Sequence, residues 1–230
     1  MAIYNKSLNE TAYDFIELTR ANYKDTDSLD IRQVKNWIDN TRATLVKQRL
    51  DRNPFSIDGS WLQKLTVAGS ITDGPIDFQS DFTYFVSDYR IPTPINRRGG
   101  EGTITLVDTG VLFADPIEFV NYEEARDYNN GKFNSTTKYA FLKDDYFYVK
   151  NEPFNATNTN TYYVTGVFQN PRLVATFNNV TNFDSMYSYP IDQSIVDQMK
   201  QIIRDNNLSL MLQQIEDKIL DGRDSTTKQG

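Results

Sequence analysis

The segment from Asp30 to Arg52, DIRQVKNWIDNTRATLVKQRLDR, constrains the fold more than any other stretch of the sequence. Its apolar residues recur at the three- and four-residue spacing of one helix face. These residues are Ile31, Val34, Trp37, Ile38, Ala43, Leu45, Val46 and Leu50. Asp27 and Ser28 precede the segment as candidate N-cap residues, and Asn53-Pro54 ends it, because proline cannot continue a helix. The segment therefore predicts a long helix that must bury one face.

The other face of this predicted helix is basic, although the whole chain has a formal net charge of −7. It carries six basic residues against three acidic ones, a local net charge of +3. The basic residues are Arg32, Lys35, Arg42, Lys47, Arg49 and Arg52. Two interpretations follow: a core helix with a solvated basic face, or a helix whose basic face contacts a partner.

Helical patterns lie at both ends of the chain. The first runs from Ser7 to Tyr23, where Glu10 stands three residues after Ser7 in the arrangement of a capping box. After Pro190, the stretch DQSIVDQMKQIIRDNN predicts another helix with Asp192 as its N-cap, and LSLMLQQI continues the apolar pattern. The residues expected to form a common helical core are Phe15, Ile31, Val34, Ile38, Leu45, Leu50, Ile195 and Ile202.

The middle of the chain changes to short alternating segments separated by turn residues. GTITLVDTG, IEFVNY, KYAFLKDDYFYVKN and NTYYVTGVFQNPRLV all predict strands. Asp144-Asp145 is interpreted as a hairpin turn, with a cation site as the alternative. Roughly six to eight short strands with frequent turns are typical of an antiparallel sandwich or barrel.

These patterns predict an α+β fold in which the N- and C-terminal helices pack on each other, with a central antiparallel β sandwich or barrel-like insert. The predicted division places the helical part at residues 1–52 and 190–222 and the β-rich insert at residues 53–189. Residues 223–230, RDSTTKQG, are predicted to form a flexible C-terminal tail, since they are polar throughout.

Composition excludes several classes of site. The chain has no histidine and no cysteine, which removes the usual general base, Cys-ligated zinc and disulfide scaffolds. A carboxylate-only glycoside hydrolase remains open, with Glu118, Glu123 and Glu124 as candidates. The opening MAIYNKSLNETAYDF predicts no signal peptide, no apolar run is long enough to span a membrane, and the acidic net charge argues against general nucleic-acid affinity.

Aromatic residues offer a second alternative, a carbohydrate-binding β sandwich. A sugar-stacking platform competes with ordinary core and cross-strand pairing for these residues. They are Tyr84, Tyr89, Tyr146, Phe147, Tyr148, Tyr162 and Tyr163. Trp37 in a helix stripe and Trp61 at a strand start argue against the platform, because neither is predicted on an exposed sheet face.

A resemblance to a known family rests on motifs spread along most of the chain. RQVKNWIDNTRATLVKQRL (Arg32 to Leu50) resembles the N-terminal signature of virion ring proteins from crAss-like bacteriophages. Residues Asp115 to Val149, with a Tyr-x-x-Ala stretch and an Asn-Gly-x-Phe turn, are similar to the middle of that family. VTGVFQNPRLV, YPIDQSIVDQMKQII and DKILDGRDS are similar to its later motifs, whereas residues 60–115 match least.

The resemblance implies a structural role without catalysis and without a cofactor. Such proteins are similar to the tail tubular and adaptor proteins of short-tailed phages. They form a ring, expected to be twelvefold, beneath the portal vertex of the virion and are assembled in the host bacterial cytoplasm. The ring would lengthen the DNA channel and dock tail proteins. Its partners would be the portal, neighbouring ring and tail proteins, and genomic DNA passing without sequence-specific binding, with no membrane involved.

Candidate contact residues follow from the basic helix, the basic loop Arg97-Arg98-Gly99-Gly100 and the mixed-charge C-terminal segment. The loop could touch DNA phosphates or an acidic partner, or be a solvated hairpin. The candidate subunit or partner contacts are Arg32, Arg42, Arg49, Arg97, Arg98, Asp217, Asp221, Arg223 and Asp224.

Overall fold

A computed structural model describes residues 4–22, 29–53, 57–74, 82–97, 102–111, 117–127, 137–203 and 205 of the chain. The chain divides into two compact units, Met1–Val46 with Asp184–Gly230 and Lys47–Phe183. Helices combine with a seven-stranded sheet, which confirms the predicted α+β class. The domain boundaries predicted from the sequence stay a prediction.

The elements of the described residues follow one another in this order. They are α1 (Leu8–Asn22), α2 (Ile31–Arg52), a 3-10 turn (Gly59–Trp61), β1 (Gln63–Gly74), β2 (Phe82–Ser87), β3 (Ile104–Asp108), β4 (Glu118–Phe119), α3 (Tyr122–Asp127), β5 (Tyr139–Lys143), β6 (Tyr146–Lys150), β7 (Thr159–Gly166), α4 (Pro171–Phe177), α5 (Phe183–Met186) and α6 (Gln193–Ile202).

In the first unit, helix α1 begins with the predicted capping box. The Glu10 backbone N–H donates to Ser7 Oγ at 3.2 Å, and the Ser7 backbone N–H donates to Glu10 Oε2 at 2.7 Å. These reciprocal bonds satisfy amide groups that the first turn of α1 cannot pair internally. The same backbone hydrogen bond from Ser7 lowers the pKa of Glu10. The start of the first helix is therefore confirmed.

Helix α2 is also confirmed, with a different cap. Asp30 accepts a hydrogen bond from the Arg32 backbone N–H at 2.9 Å, so the helix starts directly after Asp30. The earlier candidates Asp27 and Ser28 lie outside the described residues. The predicted core residues Val34, Ile38, Leu45 and Leu50 are buried, whereas Ile31 and Trp37 are half-buried.

The C-terminal part of the first unit packs against its N-terminal part. Asp192 caps α6 by accepting from the Ser194 and Ile195 backbone N–H groups, as predicted. The Tyr189 backbone N–H donates to Lys6 O at 2.9 Å. Ile195 is buried as expected, but Ile203 rather than Ile202 completes the buried face. The LSLMLQQI stretch and the C-terminal tail lie outside the described residues.

The second unit is a mixed sheet with the strand order β3-β7-β1-β2-β6-β5-β4. Its pairs are antiparallel except β4 and β5, which run parallel with Glu118 opposite Tyr139. The expectation of an antiparallel insert is wrong for this one pair. The reason is α3, because a helix between two neighbouring strands forms a crossover connection that returns the chain in the same direction.

The sheet nearly closes into a barrel, since the Ile117 backbone N–H donates to Val107 O at 2.9 Å between its two edge strands. Alternating residues of β1 point inward, and Phe85 contacts Tyr162 edge-on with ring centroids 4.7 Å apart. The buried members of this core include Leu65, Val67, Phe85, Val107, Phe147, Val149, Tyr162, Val164 and Phe168. The barrel-like insert is thereby confirmed.

Two predicted strands end earlier than expected because helices begin inside them. In IEFVNY only Glu118–Phe119 is a strand, since Asn121 Oδ1 accepts from the Glu124 N–H at 2.9 Å and starts α3. In NTYYVTGVFQNPRLV the strand ends at Gly166, and Asn170 caps α4. Pro171 then occupies the first helical turn, where its missing N–H costs nothing.

Candidate subunit-contact surfaces

The basic residues of α2 do not form one exposed face. Arg32 is exposed at the start of the helix, and Arg49 is half-buried in its last turn. Lys35 forms an ion pair with Asp184 at 2.7 Å. Lys47 donates to Asn96 O at 2.9 Å, within the second unit. The predicted basic face is therefore divided among separate local contacts.

Arg42 departs furthest from the sequence prediction, because its side chain is fully buried. Its Nε donates to Pro190 O at 2.6 Å, and its guanidinium lies 5.9 Å from the centroid of the Tyr189 ring. Tyr189 in turn donates its hydroxyl to Asp39 Oδ1 at 2.7 Å. Burial lowers the pKa of Arg42, and the nearby Tyr189 and Asp39 oppose that shift.

The assignment of Arg42 to an exposed, partner-facing surface is therefore wrong. The physical reason is helical spacing: Arg42 follows the buried Ile38 by four residues and precedes the buried Leu45 by three. Those intervals place all three on the same helix face. A buried guanidinium is tolerated there because a carbonyl, an aromatic ring and a buried carboxylate surround it. Arg42 joins α2 to the segment before α6.

A cleft lies in the second unit beside β3 and β4; we call it the seam cleft. Its volume is about 580 Å³, and its lining includes Arg97, Ile104, Phe119, Glu124, Asp144 and Asp145. The two aspartates form the turn between β5 and β6, with φ values of 52° and 66°. The hairpin turn predicted at Asp144-Asp145 is confirmed, and it contributes two exposed carboxylates to the cleft.

Arg97 brings a positive charge to this cleft. Its side chain is half-buried, and its Nε is enclosed without a hydrogen-bond acceptor in the part of the chain that the structure describes. Glu124, Asp144 and Asp145 supply the negative charges of the lining. Arg98, Asp217, Asp221, Arg223 and Asp224, the other candidate contacts, lie outside the described residues.

A buried polar network in the barrel was not anticipated from the sequence. Glu152 accepts hydrogen bonds from the Tyr162 hydroxyl and from Asn160 Nδ2, at 2.5 and 2.9 Å, and pairs with Lys138 Nζ at 2.6 Å. Burial, followed by the hydrogen bond to Glu152, raises the pKa of Tyr162. Side chains alternate along a strand, so Asn160 and Tyr162 lie on the same side of β7. This alternation is the sequence pattern that could have predicted part of the network. The network holds the start of β7 against the end of β6.

Lys150 is a second buried cation that sequence reasoning missed. Only 1% of the residue is exposed, and its Nζ donates to Ala125 O at 3.0 Å beneath α3. Burial lowers the pKa of Lys150 to about 8. Helix α3 creates this environment by covering a second apolar cluster that contains Val120, Ala125, Tyr139 and Phe141.

Lys150 makes stability depend on pH in a defined direction. Its pKa is about 8 in the fold and 10.5 as the ordinary value, so the unfolded chain binds the extra proton. Stability should therefore rise as the pH increases from about 8 to 10.5. Lys150→Met should raise the free energy of unfolding at pH 7 by about 1–3 kcal/mol and flatten this rise. Urea denaturation of both proteins at pH 7, 9 and 10 tests this; a lower stability of the variant at pH 7 would contradict it.

Most aromatic residues of the sugar-stacking alternative make contacts within the fold, whereas Tyr89 is 75% exposed. Phe147 and Tyr162 are fully buried, and the rings of Tyr84 and Tyr148 lie 6.0 Å apart at 50°, so they are not coplanar. Tyr148 instead stacks on Phe141, with ring centroids 5.2 Å apart. Core and cross-strand pairing is the interpretation that these contacts favour.

The carboxylates of the hydrolase alternative are exposed, and Glu124 caps α3 through its contacts with Asn121. Within the described ranges, no group of three or more acidic side chains could hold a metal ion. None of the helices that the structure describes is both long and apolar enough to cross a lipid bilayer.

Comparison with known families identifies the kind of protein. The family model described as phage tail ring protein 2, CrAss ring 2, matches residues 10–224. A match over this much of the chain shows that the protein is a phage tail ring protein, a component of the virion. More specifically, the chain belongs to the phage tail ring protein 2 family of crAss-like bacteriophages, which confirms the resemblance of its motifs. No curated protein matches the sequence significantly.

Proposed function

We propose that this tail ring protein is a subunit of the portal–tail connector, where it extends the DNA channel and docks tail proteins. The observation that carries the proposal is the family match, which covers both the helical segments and the barrel. The role is structural and non-catalytic, the ring is twelvefold like the portal, and assembly takes place in the host cytoplasm before the virion is complete.

A ring closes only if each subunit presents two different complementary surfaces, because its contacts are heterologous. Exposed apolar side chains in each unit are candidates for such surfaces. In the first unit Tyr13 and Met186 are 57% and 74% exposed, and in the second unit Val111 and Leu173 are 68% and 55% exposed.

Charged residues would set the register of these contacts. We retain Arg32, Arg49, Arg97 and Arg98 as proposed contacts with neighbouring subunits or rings, and leave Arg42 out because it is buried. Asp217, Asp221, Arg223 and Asp224 of the C-terminal segment would reach a neighbouring copy or the next ring.

The acidic net charge of −7 suits a channel through which DNA must slide. A lumen lined mainly by carboxylates repels phosphates and so avoids capturing the genome during ejection. The partners of the ring would be the portal, the adjacent ring and tail proteins, and DNA bound without sequence specificity. A strongly positive lumen in the assembled ring would contradict this part of the proposal.

Copy number tests the connector role directly. Quantitative mass spectrometry of purified virions, with isotope-labelled reference peptides, should find this protein and the portal protein in equal amounts. A capsid or decoration protein would be present in large excess over the portal, and a non-structural protein would be missing. Either of these results would contradict the proposal.

A further inference from the structure

The first half of β1 has a neighbouring strand on one side only. Strand β7 pairs with β1 from Gln63 onward, whereas β2 pairs with it only from Gly69. The Asp88 N–H extends the β2 side by one hydrogen bond, to Ala68 O at 3.1 Å. Within the described part of the chain, no strand pairs with residues 63–67 on that side. We call this stretch the open edge, because the backbone groups of a sheet edge can pair with a strand of another molecule.

The side chain of Asn178 occupies the open edge. Its Oδ1 accepts a hydrogen bond from the Thr66 N–H at 2.9 Å, and its Nδ2 donates to Lys64 O at 2.7 Å. One carboxamide therefore takes the donor and the acceptor that a neighbouring strand would use. Thr66 and Lys64 are both exposed, so water would satisfy the same two groups. What Asn178 adds over water is that it excludes another strand.

Helix α4 holds Asn178 in this position. Asn178 is the C-cap residue of the helix, and its backbone N–H donates to Val174 O at 3.1 Å. Asn179 follows with a φ of 56°, which ends the helix. Val174 and Ala175 are buried, and Val174 belongs to the barrel core, so the end of α4 is anchored to the sheet. The carboxamide is thus placed at the open edge by the fold itself.

Lys64 does not protect the open edge. A lysine is a common guard of an exposed sheet edge, and Lys64 is the only charged residue among residues 63–67. Its Nζ lies 4.1 Å from the centroid of the Tyr163 ring. Tyr163 belongs to β7, which flanks β1 on the side opposite the open edge. The cation is therefore directed away from the open edge.

We propose that Asn178 blocks the open edge and so prevents two free copies of this chain from pairing through β1. Every copy carries the same edge, and two antiparallel edges are self-complementary because donors and acceptors alternate along both. The resulting dimer would be isologous and closed. For a tail ring protein such a dimer would be harmful, because it removes two copies from a ring that requires heterologous contacts.

Sedimentation velocity of the full-length protein tests the blocking role. Asn178→Ala frees the open edge at a backbone φ of −81°, which suits alanine. Over a concentration series this variant should form a dimer that the wild type does not form. Thr176→Ala is the matched control, since it removes an exposed side chain from the same helix, and it should sediment as the wild type does.

A proline separates pairing through the open edge from a loss of stability. Adding Thr66→Pro to Asn178→Ala removes the N–H that points to Asn178 and leaves the hydrogen bonds between β1 and β7 in place. The dimer should then disappear. A dimer caused by destabilisation alone would persist or increase, because the proline cannot stabilise the strand.

A cysteine trap tests where the two copies meet. The chain has no cysteine, so a disulfide can form only between introduced residues. In the Asn178→Ala background, Thr66→Cys should give a disulfide-linked dimer under mild oxidation, because facing Cβ atoms of paired strands lie about 4.5–5.5 Å apart. Thr105→Cys in the same background should not, since this exposed threonine lies on β3.

The inference is overturned if the Asn178→Ala protein stays monomeric, if its dimer survives Thr66→Pro, or if the two cysteine variants cross-link equally. Loss of the folded state in Asn178→Ala, followed by circular dichroism, would also overturn it, because Asn178 would then be needed for folding. These assays concern the free subunit, so each failure would leave the copy-number test of the connector role intact.

Discussion

Replacing Arg42 by glutamate is expected to prevent the first unit from folding stably. The substitution removes the donor to Pro190 O and places a second buried carboxylate near Asp39, which is only 3% exposed. Losing one partner of a buried charge cluster costs about 3–5 kcal/mol, and the new like-charge repulsion adds to this. Chemical denaturation of the full-length protein, followed by circular dichroism, should show a much lower midpoint or no folded baseline.

Arg32→Glu is the matched control, since it makes the same charge reversal on the same helix at an exposed position. Its free energy of unfolding should change by less than about 0.5 kcal/mol, because an acidic residue in the first turn of a helix is favourable. An Arg42→Glu protein with the midpoint of the wild type would contradict the buried role of Arg42. Charge reversal at Arg42 is accordingly unsuited to testing ring contacts.

Gly69→Ala should be the most damaging single-methyl change in the barrel. A Cβ at this position would lie 2.0 Å from Val86 O and 2.6 Å from the Phe85 ring. Gly69 pairs with Ser87 on one side and Asn160 on the other, so the backbone cannot move without disturbing two neighbouring strands. Overpacking of this kind costs about 3 kcal/mol or more where the obstructing atom belongs to the backbone.

Gly59→Ala provides the control, because a Cβ added there would meet nothing within 4 Å. Thermal denaturation should show a large decrease in Tm for Gly69→Ala and almost none for Gly59→Ala. Equal Tm values for the two variants would mean that β1 and β2 are not paired in the observed register.

Local signals in the sequence predicted the parts of the fold that depend on neighbouring residues. The capping box of Ser7 and Glu10, the cap at Asp192 and the turn at Asp144-Asp145 each rest on contacts within a few positions. Helix α2 was likewise predictable from its apolar spacing. The family assignment followed from motifs in the same order along the chain.

Features that depend on residues far apart in the sequence could not be predicted from local signals. Arg42 was assigned to the polar face because of its residue type. Its burial could not be predicted, because its partner Pro190 lies far away in the sequence. The parallel β4–β5 pair required knowing that α3 begins at Tyr122. The seam cleft arises only when β3 and β4 meet at one end, so its lining could not be assembled from the order of residues.

A localised cryo-EM reconstruction of the portal vertex in purified virions would show directly whether this protein forms a ring of the portal–tail connector. We expect a ring of copies of this chain, twelvefold around the channel axis below the portal, with each seven-stranded barrel recognisable in the density. Its lumen should carry a negative potential. A vertex reconstructed to side-chain detail without this chain, or with this chain located only on the capsid shell, would contradict the claim.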